Sequence, residues 1–177
     1  MAQDQTDITL AIRIDDVALL ECAFHASAPT EQGSPQSRLL VVNPQHDFSF
    51  DPKARRTTLH SLVSVQFGLA DPSVQPDADG GVAEFLHFGL TAGVVASTPV
   101  LGAAPAAPRH MAGAAPEDGA AVRDEKMQHS MRVEAIKAAY ALATAKAAEM
   151  TSMSPLGRIM LPAIDADALL DELMKNE

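Results

Sequence analysis

Between Asp124 and Met174 the apolar residues return at helical spacing, and the stretch holds two helices joined by a short apolar bridge. Ile136, Tyr140, Ala143, Ala147 and Met150 follow one another in steps of 4, 3, 4 and 3. Such steps keep them on one side of a helix with about 3.6 residues per turn. Met127 and Met131 extend the segment toward its start at Asp124-Glu125, where negative charge suits the helix dipole. The run from Ala138 to Ala148 is dominated by alanine, the strongest helix former, so this helix is expected to be long, thin and open to close packing. A second helix is expected after Asp165, the candidate N-cap, with Asp167 in its first turn and Ile164 and Leu169 placed to staple its entry. Its apolar stripe is Leu169, Leu170, Leu173 and Met174. Helices with one apolar face need a surface to cover.

The first part of the chain supplies that surface at a period of two. Ile8, Leu10, Ile12 and Ile14 alternate with smaller or polar residues, Asp15-Asp16 interrupts with an expected bulge, and Leu20, Cys22, Phe24 and Ala26 resume the pattern. Residues 27 to 37 read as a loop. A second strand is centred on Phe48 and Phe50, with Asn43-Pro44 and Asp51-Pro52 expected to limit its length. Leu59, Val63, Val65, Phe67 and Leu69 share one face of a third strand, the cleanest alternation in the chain. After a turn-rich acidic stretch, Leu86, Phe88 and Leu90 mark a fourth. Strands over about 8–96, an Ala/Pro/Gly-rich segment over about 99–122 read as a mobile linker, and helices over about 124–174 make one α+β domain. The expected fold is a four-stranded antiparallel sheet with a long helix and a C-terminal helix packed on one face.

Charge and motifs narrow the chemistry. A formal net charge of -10 disfavours nucleic acid and anionic membranes. The single Cys22 forms no internal disulfide, the N-terminus lacks the order of a secretory signal, and the apolar run from Ala92 to Ala107 is broken by proline; a cytoplasmic protein without membrane insertion is expected. None of the motifs for nucleotide, zinc, calcium or serine-hydrolase chemistry occurs, so neither a catalytic residue nor a metal or cofactor site is assigned. The six histidines are scattered singly; an enzyme would require them to converge in space. Cys22 reads as a structural thiol. Seven of the eight methionines fall in the second half, where this adaptable side chain either fills gaps in a core or lines a surface that accepts varied apolar partners. Met153 and Met160 flank Ser154-Pro155-Leu156-Gly157-Arg158, a helix stop followed by an extended run.

In order of parts the chain resembles the SecB export-chaperone family. Ile159 to Leu170 looks like that family's connector and final helix start, Pro44 to Asp51 like its second strand, and Arg13-Ile14 through Asp16-Val17 like its first. The resemblance implies an ATP-independent holdase, a homodimer or homotetramer that wraps non-native or precursor polypeptides along apolar grooves. The groove candidates are Phe24, Phe48, Met153, Leu156, Met160, Leu161, Leu169 and Leu173. Asp16, Glu21 and Phe88 are candidates for a partner-docking surface, Phe88 as an exposed aromatic where the family places a glutamate. Residues 27 to 37 lack the family's aromatics, Leu142 replaces an arginine, and Lys175-Asn176-Glu177 offers no extended tail, so coupling to the SecA motor is expected to be weak. Two alternatives stand beside the general holdase: a chaperone dedicated to one client, such as an antitoxin, and an assembly protein that uses the fold only to oligomerise.

Overall fold

The computed structural model describes residues 11–27, 37–54, 56–70, 84–99, 117–152, 154 and 157–175. Four strands precede two helices: β1 (Arg13–Ala26), β2 (Ser37–Asp51), β3 (Arg56–Ala70), β4 (Glu84–Pro99), α1 (Glu117–Thr151) and α2 (Ala166–Lys175). The strands form one antiparallel sheet in the order β1-β4-β3-β2. Its centre is therefore the pair with the strongest apolar alternation. Leu59, Val63, Val65, Phe67 and Leu69 of β3 and Leu86, Phe88, Leu90, Ala92, Val94 and Ala96 of β4 are all buried on the face that meets α1.

β1 follows β4 with register shifts between Ile14 and Asp16 and between Leu19 and Glu21. The first is the bulge expected at the acidic pair. It places Asp15 where Arg13 and Arg56 both donate to its carboxylate. The Ser97 hydroxyl first, and the two guanidiniums with it, hold Asp15 below the ordinary carboxylate range. The shifts let Ile14, Val17, Cys22 and Phe24 all turn toward the core side, opposite Ala96, Val94, Leu90 and Phe88. Cys22 is half-buried, with its Sγ 3.3 Å from Met150 Sδ on α1. Burial pushes its thiol pKa up, in keeping with a structural role.

Two boundaries differ from expectation. β2 does not stop at Pro44 but pairs with β3 from Ser37 to Asp51. Being at the sheet edge, it tolerates a residue without an N–H. α1 starts at Glu117, so residues 117 to 122 are helix, not linker, and Pro99 ends β4. Glu117-Asp118 offers a second acidic start, and alanines at 120 and 121 propagate a helix at little cost once the packed part is formed. The remainder of the expected linker, the 28–36 part of the expected loop and the β3–β4 tip lie outside the described residues.

α1 packs on β4, β3 and β1, and α2 packs on α1 from the same side. Covered by the sheet on one flank and by α2 and the connector on another, α1 buries Met131, Ile136, Ala139, Tyr140, Ala143 and Ala147. Alanine at three of these contacts lets the helix axis lie close to its neighbours. Among the described residues no helix packs on β2 to a comparable extent.

Candidate functional site

The strip along the helix-facing side of β2, where Val42 is buried and Leu40, His46 and Phe48 are half-buried, is bordered at its Arg38 end by the connector that joins the helices. α1 ends at Thr151, and Gly157 turns the chain at φ 72°, a left-handed conformation that costs glycine little and other residues more. Beyond it the extended connector is tied back to α1 at two points. Ile159 N–H donates to Thr151 Oγ1 at 2.7 Å, and Tyr140 Oη donates to the Pro162 carbonyl at 2.5 Å. Asp165 caps α2, its Oδ1 accepting from the N–H groups of Asp167 and Ala168 at 3.1 and 3.2 Å. His129 Nε2 lies 2.7 Å from Asp167 Oδ1, holding the start of α2 against α1.

So fixed, the connector and the sheet enclose a cavity of about 280 Å³ between Arg158, Ile159, Met160 and Pro162 on one side and Arg38, Phe67 and Leu69 on the other. Met160 is 58% exposed beside it, whereas the next residue, Leu161, is 7% exposed and belongs to the core. The helix-facing residues of β2 run on from this cavity: Arg38, Leu40, Val42, Pro44, His46 and Phe48 stand opposite Leu69, Phe67, Val65, Val63, Ser61 and Leu59. From Arg38 to Phe48 the strip is roughly 33 Å long. At its far end the Arg132 guanidinium lies 5.3 Å from the Phe48 ring centroid, with one nitrogen 3.8 Å from Met174 Sδ. His46 Nδ1 is 2.9 Å from Ser61 Oγ. Burial first, and the nearby Arg132 charge second, push the His46 pKa down to about 4, so the imidazole is neutral at neutral pH.

The groove candidates do not all meet. Phe48 and Met160 border the strip, while Leu169 and Leu173 are half-buried on α2. Phe24 is half-buried at the opposite edge: it aligns with Phe88 and, through it, with Phe67, whereas Phe48 aligns with Leu59. The two phenylalanines thus stand near opposite corners of the sheet, three strand spacings (roughly 14 Å) and eight residues of β3 (roughly 26 Å) apart. Met153 and Leu156 lie outside the described residues.

The docking candidates also divide. Asp16 and Glu21 are exposed and stand opposite Val95 and Thr91, on the sheet face turned away from the helices. Phe88 is 1% exposed on the other face, between Phe24 and Phe67, and the expectation of an exposed aromatic is corrected. The outer face holds a second hollow of about 440 Å³ near Asp16, His60 and Leu62, and Leu20, Leu39, Leu62 and Val41 are exposed on it. Nothing in the sequence spacing of Arg132 and His46 shows that α1 and β2 bring them together. Among the described residues no histidine, cysteine or carboxylate cluster is arranged to hold a metal ion, and no helix is long and apolar enough to cross a membrane.

No protein-family model and no curated protein matches the chain. Among solved structures it is similar to a SecB-like chaperone of Mycobacterium tuberculosis in complex with a peptide from the HigA1 antitoxin, at 11% identity and a TM-score of 0.47 over 87% of this chain and 91% of that one. It is also similar to a protein of unknown function from Streptococcus agalactiae, at 14% identity and a TM-score of 0.41 over 88% of this chain and 99% of the other.

Proposed function

We propose that this chain is an ATP-independent holdase of the SecB-like kind, which binds extended, non-native polypeptides along the strip between β2 and the connector. The observation that carries the reading is that strip itself. It is long enough for about ten extended residues and carries half-buried Leu40 and Phe48 and exposed Met160, and among the described residues the helix that packs on the other three strands does not pack on β2. Apolar surface of this kind lowers its free energy by taking up apolar side chains, and a strand edge offers main-chain hydrogen bonds that suit any sequence. The high net negative charge would keep a loaded complex dispersed.

The test is suppression of aggregation. An unfolded client diluted into buffer should stay dispersed when this protein is present in molar excess, equally with and without ATP. Light scattering that rises as it does in buffer alone would rule the holdase out.

Assembly is part of the same proposal. Leu20, Leu39, Leu62 and Val41 on the outer face form apolar surface of the kind that copies of one chain cover for each other, so a homodimer or homotetramer is proposed. If the protein assembles but holds no client, the assembly-protein reading replaces the chaperone. The setting proposed is the cytoplasm, and any motor contact is proposed for the face that carries Asp16 and Glu21.

A further inference from the structure

We propose that the strip selects polypeptide segments that carry an acidic side chain among apolar ones, and that Arg132 and His46 together seat that carboxylate. The proposal rests on the holdase reading and names its client chemistry.

Two buried side-chain atoms among the described residues have no hydrogen-bond partner, Arg132 Nε and His46 Nε2. They come from different elements, α1 and β2, and both belong to the same end of the strip, beside Phe48. Leaving either unpaired is costly, because each was withdrawn from water without compensation. His46 Nδ1 already has Ser61 Oγ at 2.9 Å. When that hydroxyl donates, the imidazole carries its proton on Nε2 and presents an N–H, as Arg132 does at Nε. Two donors and one full positive charge are complementary to a carboxylate. Among the described residues no carboxylate forms an ion pair with Arg132; its guanidinium rests on the Phe48 ring and against Met174.

The rest of the strip repeats the sign. Arg38 and Arg158 border the cavity at the other end, so an otherwise acidic chain carries three arginines along this groove. The occupant is an extended polypeptide because the groove borders an edge strand that, among the described residues, pairs on one side only. It also runs along about ten residues of strand, with arginines at its two ends and the apolar Leu40, Val42 and Pro44 between them.

The experiment uses the full chain and three blocked, fluorescently labelled seven-residue peptides of alternating valine and threonine, with glutamate, glutamine or lysine at the centre. The glutamate peptide is expected to bind about tenfold or more tightly than its glutamine twin, the size of a charge-assisted hydrogen bond, and the lysine peptide more weakly than either. The glutamate preference should shrink as salt rises. In Arg132→Met the glutamate-to-glutamine ratio should fall to about one, and in His46→Phe it should fall part of the way. Because both peptides meet the same protein, the ratio stays readable even if a variant is partly unfolded. Equal binding of the twins to the parent overturns the proposal, as does a ratio that survives in Arg132→Met. Aggregation suppression, scored separately, decides the holdase reading: a protein that holds clients without preferring glutamate sinks only the carboxylate seat, and one that prefers the glutamate peptide without holding clients sinks only the holdase.

Discussion

Tyr140, in the middle of α1, donates its phenolic hydrogen to the carbonyl of Pro162, so the longest helix and the connector that borders the strip are held at a fixed separation. The ring is buried, and burial pushes the phenol pKa up, which keeps the donor protonated at neutral pH. Tyr140→Phe keeps the packing and deletes the bond. A loss of about 1 kcal/mol is expected in urea denaturation, with faster amide exchange in the connector as the sign that the separation is no longer fixed.

Thr151 should matter more. It is 1% exposed, donates to the Ala147 carbonyl and accepts from Ile159 N–H, both at 2.7 Å. Thr151→Val has nearly the same shape but leaves the Ile159 amide without its acceptor, and is expected to cost about 2–3 kcal/mol. Thr151→Ser keeps both bonds and should cost about 1 kcal/mol or less, the share of one methyl group. If valine proves as stable as serine in thermal denaturation, the hydroxyl is not what closes the end of α1.

Phe88 separates surface from core. Phe88→Glu places a charge where the native side chain is 1% exposed, and is expected to abolish cooperative folding as judged by circular dichroism. Phe88→Leu should fold with a loss of about 1–2 kcal/mol. A soluble, cooperatively melting Phe88→Glu protein would mean that the ring is not between the sheet and α1.

Most of this architecture could be read from pattern. The alternation from Leu59 to Leu69 marks the strand that becomes central, and the Asp165 cap fixes the start of α2 to the residue. Phe88 shares the period-two face of Leu86 and Leu90, and all three are buried, so the local alternation rather than the family resemblance indicates its place. The length of β2 was hidden by Pro44, since a proline reads as a stop until the strand is known to be at an edge. The Arg132–His46 pair was hidden for a different reason. It depends on where α1 crosses the sheet, which no local period encodes.

His46 predicts a loss of stability in mild acid. Its folded-state pKa is down at about 4 against an ordinary 6.5, so the folded protein binds this proton less tightly than the unfolded chain does. Above about pH 6.5 both states are neutral at this site and it contributes no pH dependence; as pH falls from there toward about 4 the unfolded state takes up the proton first and stability is lost. The full effect is up to about 3 kcal/mol. His46→Gln keeps a polar contact for Ser61 without titrating, so the parent should lose about 2 kcal/mol more than the variant between about pH 7 and about pH 4.5. Parallel curves for the two proteins would assign the acid sensitivity elsewhere.

Met160 and Leu161 are neighbours with opposite surroundings, and they allow holding to be separated from folding. Met160 is 58% exposed at the cavity, so Met160→Asp exchanges one solvated side chain for another and should change stability by no more than about 0.5 kcal/mol. The new carboxylate would stand beside Arg38 and Arg158 as well as Phe67, Leu69 and Ile159, and would put a solvated, charged group where an incoming apolar side chain has to sit. Client holding should therefore fall although the fold is intact. Leu161 is 7% exposed in the core, and Leu161→Ala should cost about 2–4 kcal/mol while holding per folded molecule is kept. Denaturation and aggregation suppression measured on both variants should give opposite rankings. If Met160→Asp disperses an unfolded client as well as the parent, the strip between β2 and the connector is not where clients are held.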